Sequence, residues 1–208
     1  GKSRLPVGRP RVTTVGRQVR RGVDRCDRWL HSSGAWLLRL PQEDCCQAKG
    51  IPSHLKYESD GGPGLADLAA VLSGSVQAEH DLSTLLKTQV LFWLLAAPDG
   101  HAKNFSLHVL PQGRYALTPL YDVMSIWPVA GNRPNQLSLH KTTLALALRG
   151  KNKHYLLKDI QRRHFNSTAA KYFQRPDAED LIEPVVPHTP KPTTSASTNV
   201  SPPPPPPD

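Results

Sequence analysis

The sequence predicts an α+β fold, mostly α, with one small β-hairpin beside its functional centre. Three observations carry that prediction. Leu82, Leu85, Leu86, Gln89, Val90, Trp93, Leu94 and Ala97 recur at helical spacing and put a long, nearly all-round apolar helix over 81–97. The β-prone runs FSLHVL and YALTPLYD flank the turn Pro111-Gln112-Gly113-Arg114 and read as a hairpin. Two further stretches, around 140–150 and 154–174, read as polar helices. The 208 residues suffice for one sizeable core, but a hydrophobic content of 38% implies that part of the chain stays outside it.

Taken in order, residues 1–22 carry seven Lys and Arg and no acid. They have no clean helical or strand period, so we expect a solvated, disordered arm, with a nucleic-acid-binding arm as the alternative. VDRCDRW and AWLLRL, joined by HSSG (His31–Gly34), read as two strands and a turn. PQEDCCQAKG has a helix-start signal, with Pro41 early and Glu43 and Asp44 near a positive helix end, and Gly50-Ile51-Pro52 stops it. DGGPG (Asp60–Gly64) is a turn, followed by a helix through Leu65, Leu68, Ala69 and Leu72. Asp81 or Ser83 supplies the cap of the long helix, and Pro98 ends it. From Pro184 onward ten of the 21 prolines fall in 25 residues, six of them consecutive (Pro202–Pro207). That composition predicts an extended, polyproline-like tail, unstructured or available to a proline-reading module.

Several function classes are disfavoured. No apolar run approaches the ~20 residues that cross a bilayer, and the Arg-rich start has no apolar signal region. Cys26, Cys45 and Cys46 lack metal-ligand spacing, and the expectation is reduced thiols in a cytosolic protein. The net charge of +9 favours polyanions, although much of it lies in the N-terminal arm.

The chemistry concentrates in "PDGHAKNFSLHVLPQGRYALTPLYDVMS", residues 98–125. A buried helix delivers the chain to a loop starting at Asp99, and the hairpin that follows returns its far end beside Asn104. Asn104 and Asp122 therefore become neighbours, with Asp99 on the same rim. Magnesium takes hard oxygen ligands and keeps several waters, so one amide and one carboxylate suffice when phosphate oxygens supply the rest. The second carboxylate is then free to accept a hydroxyl proton, the division of labour phosphoryl transfer needs. Asp99, Asn104 and Asp122 reproduce the order and spacing of a protein-kinase catalytic loop and its metal-binding Asp. Singly, each residue has an ordinary reading as a turn cap, a loop hydrogen-bonder or a strand end. His101 and Lys103 inside the loop are candidate phosphate donors, His101 equally a structural histidine.

The stretches "KYESDGGPG", "PDGHAKNFS" and "LTPLYDVMS", with "DRCDRW", "LLRLPQEDCCQ" and "RRHFNSTAAKYF", resemble the HipA family of bacterial toxin kinases from about Val23 to about Ile182. The resemblance implies a serine/threonine protein kinase that binds ATP and Mg2+. It also implies pairing with a small HipB-type DNA-binding antitoxin and phosphorylation of aminoacyl-tRNA synthetases in the bacterial cytoplasm. By it, Asp99 would be the catalytic base, and Asn104 and Asp122 the magnesium ligands. His101, Ala102, Lys103, Asn104, Tyr121 and Asp122 would face the nucleotide. Asp24, Arg25 and Cys26 would form the hinge that meets adenine, with Asp27 at the ribose. Cys26 stands where the family prefers a large aromatic. Lys171 and Arg175 would be the residues touching operator DNA beside the antitoxin.

A kinase of this kind also needs an N-terminal lobe with a phosphate-covering loop and a strand lysine. Residues 1–22 are too few for it, so the expected organisation is a basic arm (1–22), a truncated kinase C-terminal lobe (23–183) and a Pro-rich tail (184–208), with little or no activity by itself. The alternatives are a pseudokinase remnant that still docks an antitoxin, and a basic nucleic-acid binder working through residues 1–22.

Overall fold

The computed structural model describes residues 41–184 throughout and, before them, the backbone of the strands at 10–15, 18–23, 28–30 and 37–39. Strands β1 (Pro10–Val15) and β2 (Gln18–Val23) pair antiparallel from Pro10↔Val23 to Val15↔Gln18. Both strands fall within residues 1–22 and Val23, where the sequence leads us to expect a solvated arm. The β-branched run Val12-Thr13-Thr14-Val15 supplies strand preference that the surrounding arginines mask in a charge count. Strands β3 (Arg28–Leu30) and β4 (Leu37–Arg39) form the expected second antiparallel pair, centred on Trp29↔Leu38. The tail beyond Pro184 lies outside the described residues.

A three-stranded antiparallel sheet carries the candidate site. Its order is β5 (Gln42–Asp44), β6 (Ser106–Val109), β7 (Tyr115–Leu117). The helix expected from Pro41 begins later, because 42–44 pair with β6. Helix α1 (Cys45–Ala48) is a single turn capped by Asp44, whose side chain accepts from Gln47 N at 2.9 Å while Gln47 Oε1 accepts from Asp44 N. Helix α2 (Leu65–Leu72) follows the DGGPG turn and buries Leu65, Leu68, Ala69 and Leu72.

Helix α3 (Ala78–Leu94) is the central element. It starts before the residues expected to cap it, and Asp81 is instead 1% exposed inside its first turn. The Asp81 carboxylate accepts from Ser75 Oγ (2.5 Å), Gln77 Nε2 (2.8 Å) and the Leu117 N–H (2.9 Å), tying α3 to β7. At the other end the helix stops ahead of Pro98, and Ala96 turns the chain with φ +46°. The carbonyls of Leu94, Leu95 and Ala96 are taken by Trp127 Nε1 (2.9 Å), Ser125 Oγ (2.6 Å) and Ile126 N (3.1 Å). A segment some thirty residues downstream thus satisfies the orphan acceptors of the helix end.

The helix expected at 140–150 is a strand. β8 (Thr143–Arg149) pairs antiparallel with β9 (Lys153–Leu156). Leu144, Leu146 and Leu148 alternate along one face and are at most 3% exposed, while Ala145 and Ala147 between them are also buried. Burial on both faces removes the polar alternation that identifies a strand in sequence. Helix α4 (Arg162–Tyr172) packs on β8, and α5 (Glu179–Ile182) packs on α3. The core is the Leu set of α2, α3 and β8 with Phe105, Phe165 and Ile182. No helix among the described residues is long and apolar enough to cross a membrane.

Candidate functional site

The loop after α3 is fixed from below. Ala102 is fully buried, and Asn104 is 2% exposed in the short 3-10 turn Ala102–Asn104. The Asn104 N–H donates to the His101 carbonyl (2.9 Å), and the His101 N–H to the Asp99 carbonyl (3.0 Å). Gly100 has a steric reason: a Cβ there would sit 2.0 Å from the Phe92 ring. Phe92 in turn packs on Phe105 at 6.1 Å.

The hairpin does what its length predicts. Asn104 Nδ2 donates to Asp122 Oδ2 at 3.1 Å across 18 residues of chain. Asn104 Oδ1 is buried and has no hydrogen-bond partner. Asp122 holds φ +56°, a left-handed conformation costly for a residue with a Cβ. Tyr121, expected to face a nucleotide, is 6% exposed and works as a brace. Its hydroxyl donates to the Lys103 carbonyl (2.7 Å), so the short contact with Ser106 Oγ (2.5 Å) has the serine as donor. That brace ties the return strand to the loop and holds Asn104 opposite Asp122.

Asp99 stands on the rim with a side chain 46% exposed. Its Oδ1 accepts from the Tyr57 hydroxyl at 2.6 Å. Tyr57 is a site residue the sequence reading does not identify. It lies 42 residues away, and its one available signal is its place in the "KYESDGGPG" stretch. The hydrogen bond to Asp99, then burial, pushes the Tyr57 phenol up to about 12. The Tyr57 ring meets the His101 ring edge-on (5.2 Å, 76°), and Lys56 Nζ lies 4.9 Å from the Tyr57 ring centre. His101 is 6% exposed, with Nε2 3.7 Å from Asp99 Oδ1 and a buried Nδ1 that has no partner. Burial, then the Lys56 charge, holds its pKa below the ordinary value, against the pull of Asp99 and Asp122. A cavity of about 450 Å³ opens on the Asp99 flank, walled by Tyr57, Ser59, Thr143, Leu144, Ala145 and Tyr155.

The mouth therefore offers one free amide oxygen, a strained carboxylate and a second carboxylate oriented by a tyrosine. Among the described residues no group of three or more His, Cys, Asp or Glu side chains gathers as a metal centre. A soft-metal site is not what this donor set suits. A hard cation that takes one amide and one carboxylate oxygen and completes its shell from phosphate and water fits the buried, unpartnered Asn104 Oδ1.

Asp24, Arg25, Cys26 and Asp27 lie outside the described residues. Lys103 is half-buried in the loop. Lys171 is exposed on the last turn of α4, whereas Arg175 is held by Asp180 (2.5 Å).

Comparison with known proteins gives a consistent picture. The family model for the HipA-like C-terminal domain matches residues 2–192. The protein named "Putative kinase Y4mE", from Sinorhizobium fredii (strain NBRC 101917 / NGR234), is 38% identical over 104 residues, 50% of this chain and 24% of that protein. HipA of Shewanella oneidensis MR-1, solved with HipB and operator DNA, superposes with a TM-score of 0.67 at 20% identity, over 86% of this chain and 41% of that one. The chain thus spans less than half the length of either.

Proposed function

The chain belongs to the HipA-like C-terminal domain family, and on that premise we propose that it is the lobe of a toxin-type serine/threonine protein kinase that carries the phosphoryl-transfer centre. The observation that carries this reading is the Asn104–Asp122 contact at 3.1 Å with Asn104 Oδ1 left buried and unpartnered. Two ligands for Mg2+ would come from that pair, and Asp122 is held toward it by a strained backbone. Bound Mg2+-ATP would supply the transferable phosphate with its charge neutralised.

The chain's own residues do the rest. Asp99, held by the Tyr57 hydroxyl, accepts the proton of a protein serine or threonine hydroxyl entering from the neighbouring cavity. His101, Lys103 and the backbone of Ala102 line the nucleotide side, with Asp24–Asp27 at the hinge. Tyr121 acts through the loop it braces. The target class is the aminoacyl-tRNA synthetases, in a bacterial cytoplasm, and the partner is a HipB-type antitoxin. The solved HipA relative, assembled with HipB and operator DNA, supports that partner. Lys171 is the better candidate for touching DNA beside the antitoxin, since Arg175 is already paired with Asp180.

Calorimetric titration with ATP, with and without Mg2+, tests the pair. Asn104→Ala and Asp122→Ala should each weaken the Mg2+-dependent part of binding on the order of tenfold or more, while Asp99→Asn leaves binding intact and removes any single-turnover transfer of labelled phosphate that the native chain supports. Equal Mg2+ dependence in Asp122→Ala and the native chain would sink the assignment.

A further inference from the structure

A second concavity, of about 440 Å³, lies at the C-terminal end of α3. Trp93 and Leu94 of that helix, Trp127, Leu139, Leu157 and Ile160 line it. Trp127 is 52% exposed, yet it is not free to swing, because its indole N–H is committed to the Leu94 carbonyl at 2.9 Å. Near Trp127 in the chain, Met124 and Val129, and Leu137, whose N–H donates to the Val129 carbonyl, are each about half exposed or more. An aromatic groove of fixed shape next to exposed apolar side chains is a binding surface rather than ordinary surface texture.

We propose that this groove is the docking site of the chain's own proline run, Pro202–Pro207. Six consecutive prolines have no N–H to satisfy, and runs of proline favour polyproline II, a ligand that aromatic-lined grooves take at little entropic cost. The charges agree. Lys158 and His140 sit in the wall of the groove, and Lys158 makes no ion pair among the described residues; Asp208 directly follows the prolines. The connection is long enough. The described chain ends just after α5, which packs on α3, the helix whose end forms the groove. The residues between Pro184 and Pro202 reach about 50 Å when extended, against about 25 Å for the full length of α3. No phosphoryl-transfer chemistry enters this inference, so it stands or falls separately from the proposed function.

The test uses the full chain with Pro202–Pro207 all replaced by serine. Acrylamide quenching of tryptophan emission should rise relative to the native chain, with a red-shifted spectrum. The synthetic peptide Pro-Pro-Pro-Pro-Pro-Pro-Asp, added in trans, should bind the serine variant and bind the native chain about tenfold more weakly or less, because the tethered run is present at millimolar effective concentration. Trp127→Ala and, separately, Leu139→Glu in the serine background should each remove peptide binding while the far-ultraviolet circular dichroism of the folded chain is retained. Equal peptide binding by native and serine chains, peptide binding that survives both groove variants, or no binding to the serine chain would each overturn the proposal.

Discussion

At the scale of single residues, the site depends on one hydrogen bond that no local pattern announces. Tyr57 donates to Asp99 Oδ1 at 2.6 Å, and that bond, followed by burial, raises the phenol from 10.0 to about 12. Asp99→Ala should therefore bring one tyrosine titration back toward 10, read as the ultraviolet tyrosinate signal that disappears in Tyr57→Phe. An unchanged titration would mean that the bond does not persist in solution. Asp99, Asn104 and Asp122 can be picked out from sequence because a helix, a loop and a hairpin of fixed length leave little freedom in where their ends meet. Tyr57 cannot, since its partner is 42 residues on and its own neighbours only mark a turn. Tyr121, which the resemblance places facing a nucleotide, has its hydroxyl engaged by the Lys103 carbonyl and Ser106, and so braces the loop that carries Asn104.

At the scale of elements, legibility follows how much of an element's stability is local. α2 and α3 are readable from apolar spacing, and the β6–β7 hairpin from its turn residues. β8 is not, because Leu and Ala favour helices in isolation and only burial on both faces makes TLALALR a strand. Asp81 illustrates the same limit. Its sequence position suggests a helix cap, but its carboxylate bridges α3 to β7 by accepting the buried Leu117 N–H at 2.9 Å. Asp81→Ala leaves that donor and the Ser75 hydroxyl without their acceptor, so we expect a loss of about 1.5–3 kcal/mol in urea unfolding. A loss below about 0.5 kcal/mol, the ordinary surface value, would show that water replaces the carboxylate and that the bridge is not what fixes β7.

At the scale of the molecule, groups buried in different parts of the fold set its pH range. His164 caps α4 by accepting from Gln161 N (3.1 Å) and stacks on His154 at 3.9 Å between centroids. Burial, then His154 and Arg163, lowers its pKa from 6.5. The folded protein keeps this histidine neutral where the unfolded chain protonates it. Its stabilising contribution is complete above about pH 6.5 and is lost as pH falls from there toward the depressed folded value. On the alkaline side Cys45 is raised from 9.0 to about 12, by burial first and by Asp44 next. The unfolded thiol ionises near 9 while the folded one does not, so stability is lost as pH rises between 9 and 12. Urea midpoints across pH should therefore form a plateau between about 6.5 and 9 with a fall on each side. His164→Gln, which keeps an acceptor at the cap, should reduce the fall that begins below pH 6.5, to which buried His101 also contributes, and Cys45→Ala should reduce the one above 9, to which Cys46 and Tyr57 also contribute. A midpoint that keeps its full acid slope in His164→Gln would assign that slope to other groups and remove the stacked pair as its origin.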